Sequence, residues 1–348
     1  MSAVLHVVVP GDIEARTGGY GYDRRLMAEL RLLGWDVRHV ALPSLALDNA
    51  RDAEVEAASA LAALPDGDLV LVDGLAYALM PKTAAAEARR LRLVALVHHP
   101  LALETGLDPA LAAELRDSEV QALAEALAVV VTSPATAETL VAAFGVPRAR
   151  LTVAPPGTDR APAREPPAGP PLVLSVGSLI PRKGYDVLID ALALLADLDW
   201  RCRIVGGDSI DPAWGAALRE RAARHGLGER VVFVGGVADP SAEYAGAHVF
   251  ALPSRYEGYG MVFAEAMAHG LPIIAARAGA VPDVVPETAG ILVPQDDPTQ
   301  LAAALRRLLS SDAERAAFAR GARQAAELLP SWRDTASLVA GALNETAR

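Results

Sequence analysis

The sequence predicts an α/β protein of two doubly wound, parallel-sheet domains, and three observations support this prediction. The chain has 348 residues, which at about 150 residues per domain suggests two domains, with one large α/β barrel as the alternative. Short runs of Val, Ile and Leu alternate with longer segments rich in Ala and Leu, the pattern of parallel strands separated by helices. A stretch with seven prolines, between Val153 and Leu172, interrupts this alternation once, after which it restarts.

The first half is predicted to form one domain over residues 1–160. Its short apolar runs are the predicted strands, at Ala3–Val9, Asp36–Leu42, Leu69–Val72, Leu93–Val97, Ala128–Thr132 and Leu151–Ala154. Helices fit between them, at Tyr20–Leu33, Arg51–Leu64, Tyr77–Arg90, Pro109–Leu127 and Pro134–Phe144. Because these strands are apolar on both faces, helices must cover both sides of the sheet.

The second half repeats the pattern after a proline-rich linker over residues 161–171. The predicted strands are Leu172–Val176, Arg201–Val205, Val231–Val234, His248–Leu252, Pro272–Ala275 and Gly290–Val293. The predicted helices are Tyr185–Leu195, Pro212–His225, Gly260–His269 and Pro298–Leu309, and the remainder, Asp312–Arg348, is helical. Since ligands of open α/β sheets bind at the carboxyl ends of the strands, the cleft between two such domains is the expected site.

Composition and charge exclude several classes of protein. The net charge of −11 argues against a general nucleic-acid binder and against docking on anionic lipid through a broad basic surface. Cys202 is the single cysteine, so neither an intramolecular disulfide nor a Cys-based zinc site is possible. No run reaches the ~18 apolar residues of a membrane span, and the start lacks the basic region of a secretory signal. We therefore expect a soluble cytoplasmic protein.

The most informative segment runs from Pro253 to Pro272 and follows a predicted strand. Its glycines leave the backbone uncovered where a helix begins, and a helix start offers free N–H groups and the positive dipole end to a diphosphate. Glu257 precedes the helix and Glu265 lies within it. An ionised carboxylate can accept hydrogen bonds from two neighbouring hydroxyls, so one glutamate suits a ribose and the other a hexose.

This run, E-G-Y-G followed by E-A-M-A-x-G-x-P, resembles the E-x7-E motif of retaining GT-B glycosyltransferases of family 4, the group 1 glycosyl transferases. The resemblance implies a GT-B fold, in which two Rossmann-like domains face each other across a cleft. We expect Glu265 to bind the ribose and Glu257 the transferred hexose. A solvated Glu257 and a Glu265 that serves only the helix are the alternative. The donor-binding candidates of this segment are Gly258, Tyr259, Gly260, Met261 and Glu265.

A second match, Ser175–Gly184, ends a predicted strand and contains Arg182 and Lys183. The family carries basic residues here that hold the donor diphosphate. Arg offers a bidentate fork and Lys a point charge, and both stabilise a departing diphosphate. The family often has an Arg directly after the glycine of the Val-Gly pair, where this chain has Ser178, and Arg182 is the residue that would compensate. A surface basic pair is the alternative.

Two matches fall in the first half. Thr17–Gly21 resembles the glycine loop of the family's N-terminal domain, near the donor phosphate and the acceptor, and makes Gly18 and Gly19 candidates. At Val97–Pro100 the family has a histidine at the end of a strand that reaches the donor sugar. His98 fits this position best, and His99 is the second candidate. The adjacent histidines have no metal-ligand spacing, so no metal site is expected.

Weaker matches follow two strands of the second half, at Val205–Asp208 and Phe233–Val237. In the family, backbone groups of these loops receive the nucleotide base, which makes Gly207 and Val237 candidates. Each loop could equally be an ordinary β–α turn. The resemblance further implies that residues 172–330 form the donor-binding domain and that residues 331–348, with Trp332 opening the helix, cross back to the N-terminal, acceptor-side domain.

The resemblance implies transfer of a sugar from a nucleoside-diphosphate sugar to an acceptor, with retention at the anomeric carbon and a donor phosphate oxygen taking the acceptor proton. His98, Arg182, Lys183 and Glu257 are the expected catalytic residues. Apart from the nucleotide sugar as co-substrate, no cofactor is expected. No essential metal is expected either, because Arg182, Lys183 and the helix start can neutralise the leaving diphosphate and no Asp-x-Asp motif occurs.

The expected partners are the nucleotide-sugar donor and a sugar or other small acceptor, without nucleic acid and without firm membrane association. The helix Pro109–Leu127 carries Glu114, Asp117, Glu119 and Glu125, and this acidity favours a soluble acceptor. A nucleotide-sugar epimerase of the same fold is one alternative, and a non-catalytic two-domain small-molecule binding protein is another. A nicotinamide oxidoreductase is disfavoured, because no G-x-G-x-x-G follows the first strand.

Overall fold

The computed structural model describes residues 4–44, 50–162 and 168–347, and the chain divides into two compact units. The N-terminal unit contains Met1–Gly157 together with Pro330–Arg348, and the C-terminal unit is Thr158–Leu329. The division therefore falls a few residues before the expected linker, of which residues 163–167 lie outside the described part. Within the described ranges, no helix is both long enough and apolar enough to cross a membrane.

The N-terminal unit contains a six-stranded sheet in the order β2-β1-β3-β4-β5-β6, in which every neighbouring pair is parallel. Its strands are β1 (Val4–Pro10), β2 (Asp36–Leu42), β3 (Leu69–Asp73), β4 (Arg92–Val97), β5 (Ala128–Val131) and β6 (Leu151–Val153). All residues of β3 and β5 are buried, as expected for strands with helices on both faces.

Seven helices cover this sheet. They are α1 (Gly18–Leu32), α2 (Ala50–Ala62), α3 (Gly74–Tyr77), α4 (Pro81–Glu87), α5 (Pro109–Ala124), α6 (Pro134–Phe144) and the C-terminal α14 (Trp332–Thr346). Trp332 is buried at the start of α14, and this helix packs against α1, β5 and β6. The last helix is therefore part of the N-terminal unit, although it follows the C-terminal unit in sequence.

The C-terminal unit contains a second six-stranded parallel sheet, in the order β12-β11-β10-β7-β8-β9. Its strands are β7 (Leu172–Val176), β8 (Arg201–Val205), β9 (Val231–Gly235), β10 (Val249–Leu252), β11 (Ile273–Ala276) and β12 (Gly290–Val293). Its helices are α7 (Tyr185–Ala193), α8 (Pro212–Arg224), α9 (Ser241–Gly246), α10 (Met261–Ala268), α11 (Val281–Val284), α12 (Pro298–Leu309) and α13 (Asp312–Glu327).

Each sheet has one point at which the strand order reverses. In the N-terminal sheet the chain moves from β1 to β2 on one side and then to β3 on the other, so the reversal lies between β1 and β3. In the C-terminal sheet it lies between β7 and β10. Loops that leave neighbouring strands in opposite directions at such a point open a crevice at the carboxyl ends, where α/β proteins bind ligands.

The structure corrects two local predictions and adds detail to others. The predicted helix Tyr77–Arg90 is two short helices, α3 and α4, because Pro81 lacks an N–H and starts a new helix after Met80. The glycines of Thr17–Gly21 are not in a loop but form the first turn of α1, since Thr17 caps that helix and its hydroxyl accepts from Tyr20 N. The short helices α9 and α11 were not predicted. The segment after residue 312 is two helices, α13 and α14, separated at Pro330.

Candidate active site

The predicted phosphate-binding residues lie at the reversal point of the C-terminal sheet. Arg182 and Lys183 belong to a short 3₁₀ turn, Pro181–Lys183, in the loop that leaves β7. Glu257 belongs to the loop between β10 and α10. Because β7 and β10 are neighbours that pair in parallel, both loops leave the same edge of the sheet. Residues 74 positions apart in the chain thus meet at the place where a ligand is expected.

Glu257 is the centre of this cluster. Its Oε1 accepts hydrogen bonds from Lys183 Nζ at 2.7 Å and from Ser254 Oγ at 2.6 Å. Its Oε2 lies 3.7 Å from the Arg182 guanidinium, which also donates to the carbonyl of Tyr256 at 3.0 Å. The carboxyl is 6% exposed, and the Lys183 side chain is 13% exposed. The sequence placed these residues in one site, and the structure brings them into direct contact.

The charge state of Glu257 follows from its two cationic neighbours. Burial by itself raises the pKa of a carboxyl, but the charges of Lys183 and Arg182 and the hydrogen bonds from Lys183 and Ser254 outweigh burial, so the pKa of Glu257 lies below its ordinary value. The carboxylate is therefore ionised at neutral pH. One buried anion beside two cations leaves a net positive charge at the carboxyl ends of β7 and β10.

Close backbone packing fixes the loops that carry these side chains. Gly184 has φ +68°, and a Cβ there would lie 2.2 Å from the carbonyl oxygen of Pro253. Gly279 has φ +51°, a Cβ there would lie 2.3 Å from the carbonyl oxygen of Glu257, and the neighbouring Ala280 N donates to that same oxygen at 2.9 Å. Only glycine fits at either position, so the loop of Glu257 is held from both sides.

Glu265 lies in α10, outside the cluster formed by Arg182, Lys183 and Glu257. Its Oε2 accepts a hydrogen bond from the hydroxyl of the buried Tyr244 at 2.8 Å. Burial raises the pKa of Glu265, the Tyr244 hydroxyl acts in the opposite direction, and the charges of Asp159 and Asp239 add to the increase. The two glutamates of one motif thus have pKa values shifted in opposite directions.

The other donor-binding candidates surround the same strand ends. Gly260, at φ +91°, is the residue before the first turn of α10, and Met261 opens that helix. Tyr259 is buried, which raises its pKa to about 12. Gly207 follows β8, and its carbonyl accepts from Leu179 N at 2.8 Å, which ties the β8 loop to the β7 loop. The remaining candidates, Gly258 and Val237, lie in the loops that follow β10 and β9.

In the N-terminal unit, His98 follows β4 and contacts two carboxylates. Its Nε2 lies 3.0 Å from Asp23 Oδ1 and 3.4 Å from Asp73 Oδ2. Gly19 is adjacent, since a Cβ there would lie 3.4 Å from the imidazole ring, whereas nothing lies within 4 Å of a Cβ at Gly18. His99 has a different partner, with its Nε2 3.8 Å from Glu104 Oε2.

Asp23, Asp73 and His98 are also the one group among the described residues whose atoms, all within 4.8 Å of one another, could share a metal ion. An ionised Asp23 can only accept a hydrogen bond, so in that charge state Nε2 of His98 carries the proton of the 3.0 Å contact. The expectation that no metal is needed remains a prediction.

Sequence reasoning missed four residues that contact the predicted ones. Ser254 and Asp73 each stand at the carboxyl end of a parallel strand, and this position could have identified them. Asp23 and Tyr244 lie inside helices, at positions without any local signal. Glu119, counted as part of an acidic surface, is instead buried on α5, where its carboxyl lies 3.4 Å from Leu101 N.

Comparisons with known proteins agree with this architecture. The family described as "Glycosyl transferases group 1" matches residues 158–325, and the family described as "Glycosyltransferase Family 4" matches residues 5–162. A D-inositol 3-phosphate glycosyltransferase of Xylanimonas cellulosilytica is 34% identical over 63% of this chain and 57% of that relative. A GDP-mannose-dependent alpha-(1-6)-phosphatidylinositol monomannoside mannosyltransferase of Mycobacterium tuberculosis is 34% identical over 55% of this chain and 54% of that relative. The chain thus spans about half the length of the curated relatives it matches.

Solved structures show the same fold. Sucrose-phosphate synthase from Thermosynechococcus elongatus superimposes with a TM-score of 0.83 at 24% identity, over 99% of this chain and 98% of that one. The Anabaena protein HepE, in complex with UDP and glucose, gives a TM-score of 0.80 at 20% identity, over 98% and 99%. With family matches that together extend over residues 5–325, the chain belongs to glycosyltransferase family 4 and has its GT-B fold of two Rossmann-like domains.

Proposed function

We propose that this protein transfers a sugar from a nucleoside-diphosphate sugar to an acceptor hydroxyl, with retention at the anomeric carbon. The observation that carries the proposal is the cluster of Arg182, Lys183 and Glu257 at the reversal point of the C-terminal sheet. Two cations beside one buried carboxylate suit a ligand that is anionic at one end and carries hydroxyls at the other, as a nucleotide sugar does.

In this proposal Lys183 and Arg182 neutralise the diphosphate as it departs. Lys183 Nζ has three donors, so it can keep its bond to Glu257 while it donates to a phosphate oxygen. The N–H groups at the start of α10, left uncovered by the preceding glycine, add further donors. These groups suffice for charge neutralisation without a metal ion. Glu257 accepts from hexose hydroxyls, and Glu265 accepts from the ribose.

The proposed mechanism is front-face transfer, in which a donor phosphate oxygen takes the proton of the acceptor hydroxyl. The family resemblance supports retention.

The relatives are named for inositol phosphate and phosphatidylinositol mannoside substrates, and HepE is described with UDP and glucose. We propose a soluble, polyhydroxylated acceptor, because α5 and its C-cap expose three acidic residues, Glu114, Asp117 and Glu125. The cytoplasmic location stays a prediction from the sequence.

The first test removes a phosphate contact. Lys183→Ala is expected to weaken binding of UDP, GDP or ADP, whichever the wild-type protein binds, by tenfold or more, because a hydrogen bond to a charged group contributes about 1.5–3 kcal/mol. Isothermal titration calorimetry measures the affinity. Arg224→Ala is the control, since this exposed residue pairs with Glu220 one helical turn away.

Because Lys183→Ala leaves Glu257 with fewer partners, the double variant Lys183→Ala/Glu257→Gln provides a second measurement without an unbalanced buried charge. Unchanged affinity in both variants would contradict the phosphate role. Product analysis by NMR then separates the reactions. Retained anomeric configuration in a new glycoside supports the proposal, whereas an epimerised or hydrolysed donor in the presence of diverse sugar acceptors would point to the alternative enzyme.

A further inference from the structure

Three side chains of the N-terminal unit meet at the reversal point of its own sheet. Asp23 lies in α1, which follows β1, Asp73 is the last residue of β3, and His98 directly follows β4. The reversal lies between β1 and β3, so the three elements carrying these residues surround the place where a doubly wound sheet binds a ligand. Neither the sequence motifs nor the family resemblance had singled out the two aspartates.

The geometry makes one ring nitrogen the shared partner of both carboxylates. His98 Nε2 lies 3.0 Å from Asp23 Oδ1 and 3.4 Å from Asp73 Oδ2. The side chain of Asp23 is 1% exposed and that of Asp73 is 6% exposed, whereas that of His98 is 21% exposed. A ligand can therefore reach the histidine, while the aspartates act on the ligand only through it.

The two aspartates differ in their other contacts. Asp73 caps α3, with its Oδ1 accepting from Leu75 N at 2.8 Å. The second oxygen of Asp23, Oδ2, is buried and has no hydrogen-bond partner among the described residues, so Asp23 directs its one bond to His98. A buried carboxylate with so few partners is costly unless a cation stands beside it.

The other groups around the ring restrict its position further. Tyr22 contacts the ring edge to face, with centroids 5.0 Å apart, and its hydroxyl donates to the carbonyl of Ala154 at 3.0 Å. Thr132 Oγ1 donates to the carbonyl of His98 at 3.4 Å. Two more titratable groups face the carboxylates: Arg24, whose charge acts on Asp23, and Tyr20, whose pKa the two aspartates help to raise.

We propose that Asp23 and Asp73 are positioning residues, which hold the His98 ring with Nε2–H on the carboxylates and turn Nδ1–H away from them as a hydrogen-bond donor to a hydroxyl of an uncharged sugar. This inference rests on the proposed function and on the expectation, from the family resemblance, that His98 reaches the donor sugar. Since the charges of Asp23 and Asp73 balance those of His98 and Arg24, the cluster has no excess positive charge to attract a phosphate and favours hydroxyl groups.

The charge on His98 agrees with this geometry. Burial alone would lower the pKa of the imidazole, but the charges and hydrogen bonds of Asp23 and Asp73 outweigh it and raise that pKa to about 10. An imidazolium has N–H groups on both nitrogens, whereas a neutral ring that donates through Nε2 has only a lone pair at Nδ1. The two aspartates thus decide whether Nδ1 donates or accepts.

The test replaces each carboxylate by an amide of the same shape. In Asp23→Asn, and more weakly in Asp73→Asn, the His98 pKa measured by NMR titration of the imidazole should fall by one unit or more, which is a tenfold loss in proton affinity. Turnover of UDP-glucose, GDP-mannose or ADP-glucose, whichever the wild type uses, should be constant above the pKa of Asp23, which burial raises to about 6, and should decline as pH rises through the His98 pKa. In the variants this decline should begin at correspondingly lower pH, with nucleoside-diphosphate affinity unchanged.

Asp68→Asn is the matched control. Asp68 forms a similar His–Asp pair in this unit, with its Oδ2 2.8 Å from Nε2 of the buried His6, and it lies before β3 rather than after it. It should leave both the His98 pKa and the pH profile as in the wild type. An unchanged His98 pKa in both aspartate variants would overturn the positioning role, and so would a lowered pKa with an unshifted pH profile. If the wild type turns over no nucleotide sugar, the proposed function and the sugar contact fail together, while the NMR titration still shows whether the aspartates keep the ring charged.

Discussion

At the residue scale, Glu257 and Glu265 illustrate how neighbours set the properties of two chemically identical side chains. Glu257 has two cations beside it and a pKa below the ordinary value. Burial and two negative charges raise the pKa of Glu265, against the opposing effect of the hydrogen bond from the Tyr244 hydroxyl. The two cations keep Glu257 ionised, so that it can accept hydrogen bonds from the hexose hydroxyls although a diphosphate lies nearby. Glu265 suits the ribose hydroxyls, for which a less strongly solvated carboxylate is a good acceptor.

Glu265→Ala is expected to weaken the affinity for nucleoside diphosphate by tenfold or more, because it removes the acceptor of the ribose hydroxyls. The sharper measurement is a competition with the 2′,3′-dideoxy nucleotide. The wild type should prefer the normal nucleotide, and the variant should bind both equally. Glu220→Ala, on the exposed face of α8, is the control and should keep the preference. Full discrimination by the Glu265 variant would remove this residue from the ribose site.

At the scale of elements, caps and prolines define where helices begin, and glycines define where loops approach each other. Four helices, α5, α6, α8 and α12, begin with a proline directly after a capping Asp or Ser whose side chain accepts a backbone N–H. Each of these starts is readable in the sequence, because both the cap and the proline act locally. The glycines at the site act differently, since each of them allows the close approach of a backbone segment that is distant in the chain.

A pair of glycines separates these two effects. Gly184 and Gly226 have nearly the same left-handed backbone, φ +68° and +69°, but a Cβ at Gly184 would meet the carbonyl of Pro253 at 2.2 Å, whereas nothing lies within 4 Å at Gly226. Gly226→Ala should lower the free energy of unfolding by about 1–2 kcal/mol, the cost of the left-handed conformation. Gly184→Ala should cost clearly more and also weaken diphosphate binding, because it displaces the loop of Lys183.

Urea unfolding and calorimetry with the nucleoside diphosphate provide the two measurements for this pair. Equal losses of stability in both alanine variants, with unchanged affinity in Gly184→Ala, would show that the contact between the β7 and β10 loops does not position the site.

At the scale of the whole molecule, each unit is a six-stranded parallel sheet with its own buried core, and the two sheets differ in strand order. Both nevertheless place their polar clusters at the carboxyl ends beside the reversal point. The negative net charge and the 52% hydrophobic composition fit two well-filled cores with an acidic surface. Some acidic side chains are nevertheless buried, and Glu119 of the N-terminal unit, at 1% exposure, is one of them.

Glu119 makes the stability of the molecule depend on pH. Burial raises its pKa from 4.5 to about 7, against the opposing effect of hydrogen bonds from Ala102 N and Leu101 N. A carboxyl whose pKa is higher in the folded state stabilises the fold below its unfolded pKa, and this contribution is lost as pH rises through about 7. Glu119→Gln should therefore match the wild type near pH 4.5 and be more stable at pH 8, by on the order of 3 kcal/mol.

Urea unfolding at both pH values measures this difference, and Glu114→Gln on the exposed face of the same helix is the control. The control should show no pH-dependent gain. If Glu119→Gln were less stable than the wild type at pH 8, the ionised carboxylate would have to be stabilised by its backbone partners more than it is penalised by burial.

The sequence by itself determined the two doubly wound units and nearly all their strands, because alternating apolar runs and helix caps are local properties of the chain. A motif of fixed spacing is local too, and it identified Arg182, Lys183, Glu257 and His98 as candidate site residues. The predictions of one continuous helix at Tyr77–Arg90 and of an exposed Glu119 were wrong. A proline in a periodic segment can lie within one helix or start a second one, and a single glutamate on a helix can face the solvent or the core. The tertiary structure alone decided that Lys183 contacts Glu257, that Tyr244 contacts Glu265 and that Asp23 and Asp73 share His98. Strand order brings these side chains into contact, because parallel pairing places side by side the carboxyl ends of strands that lie far apart in the chain.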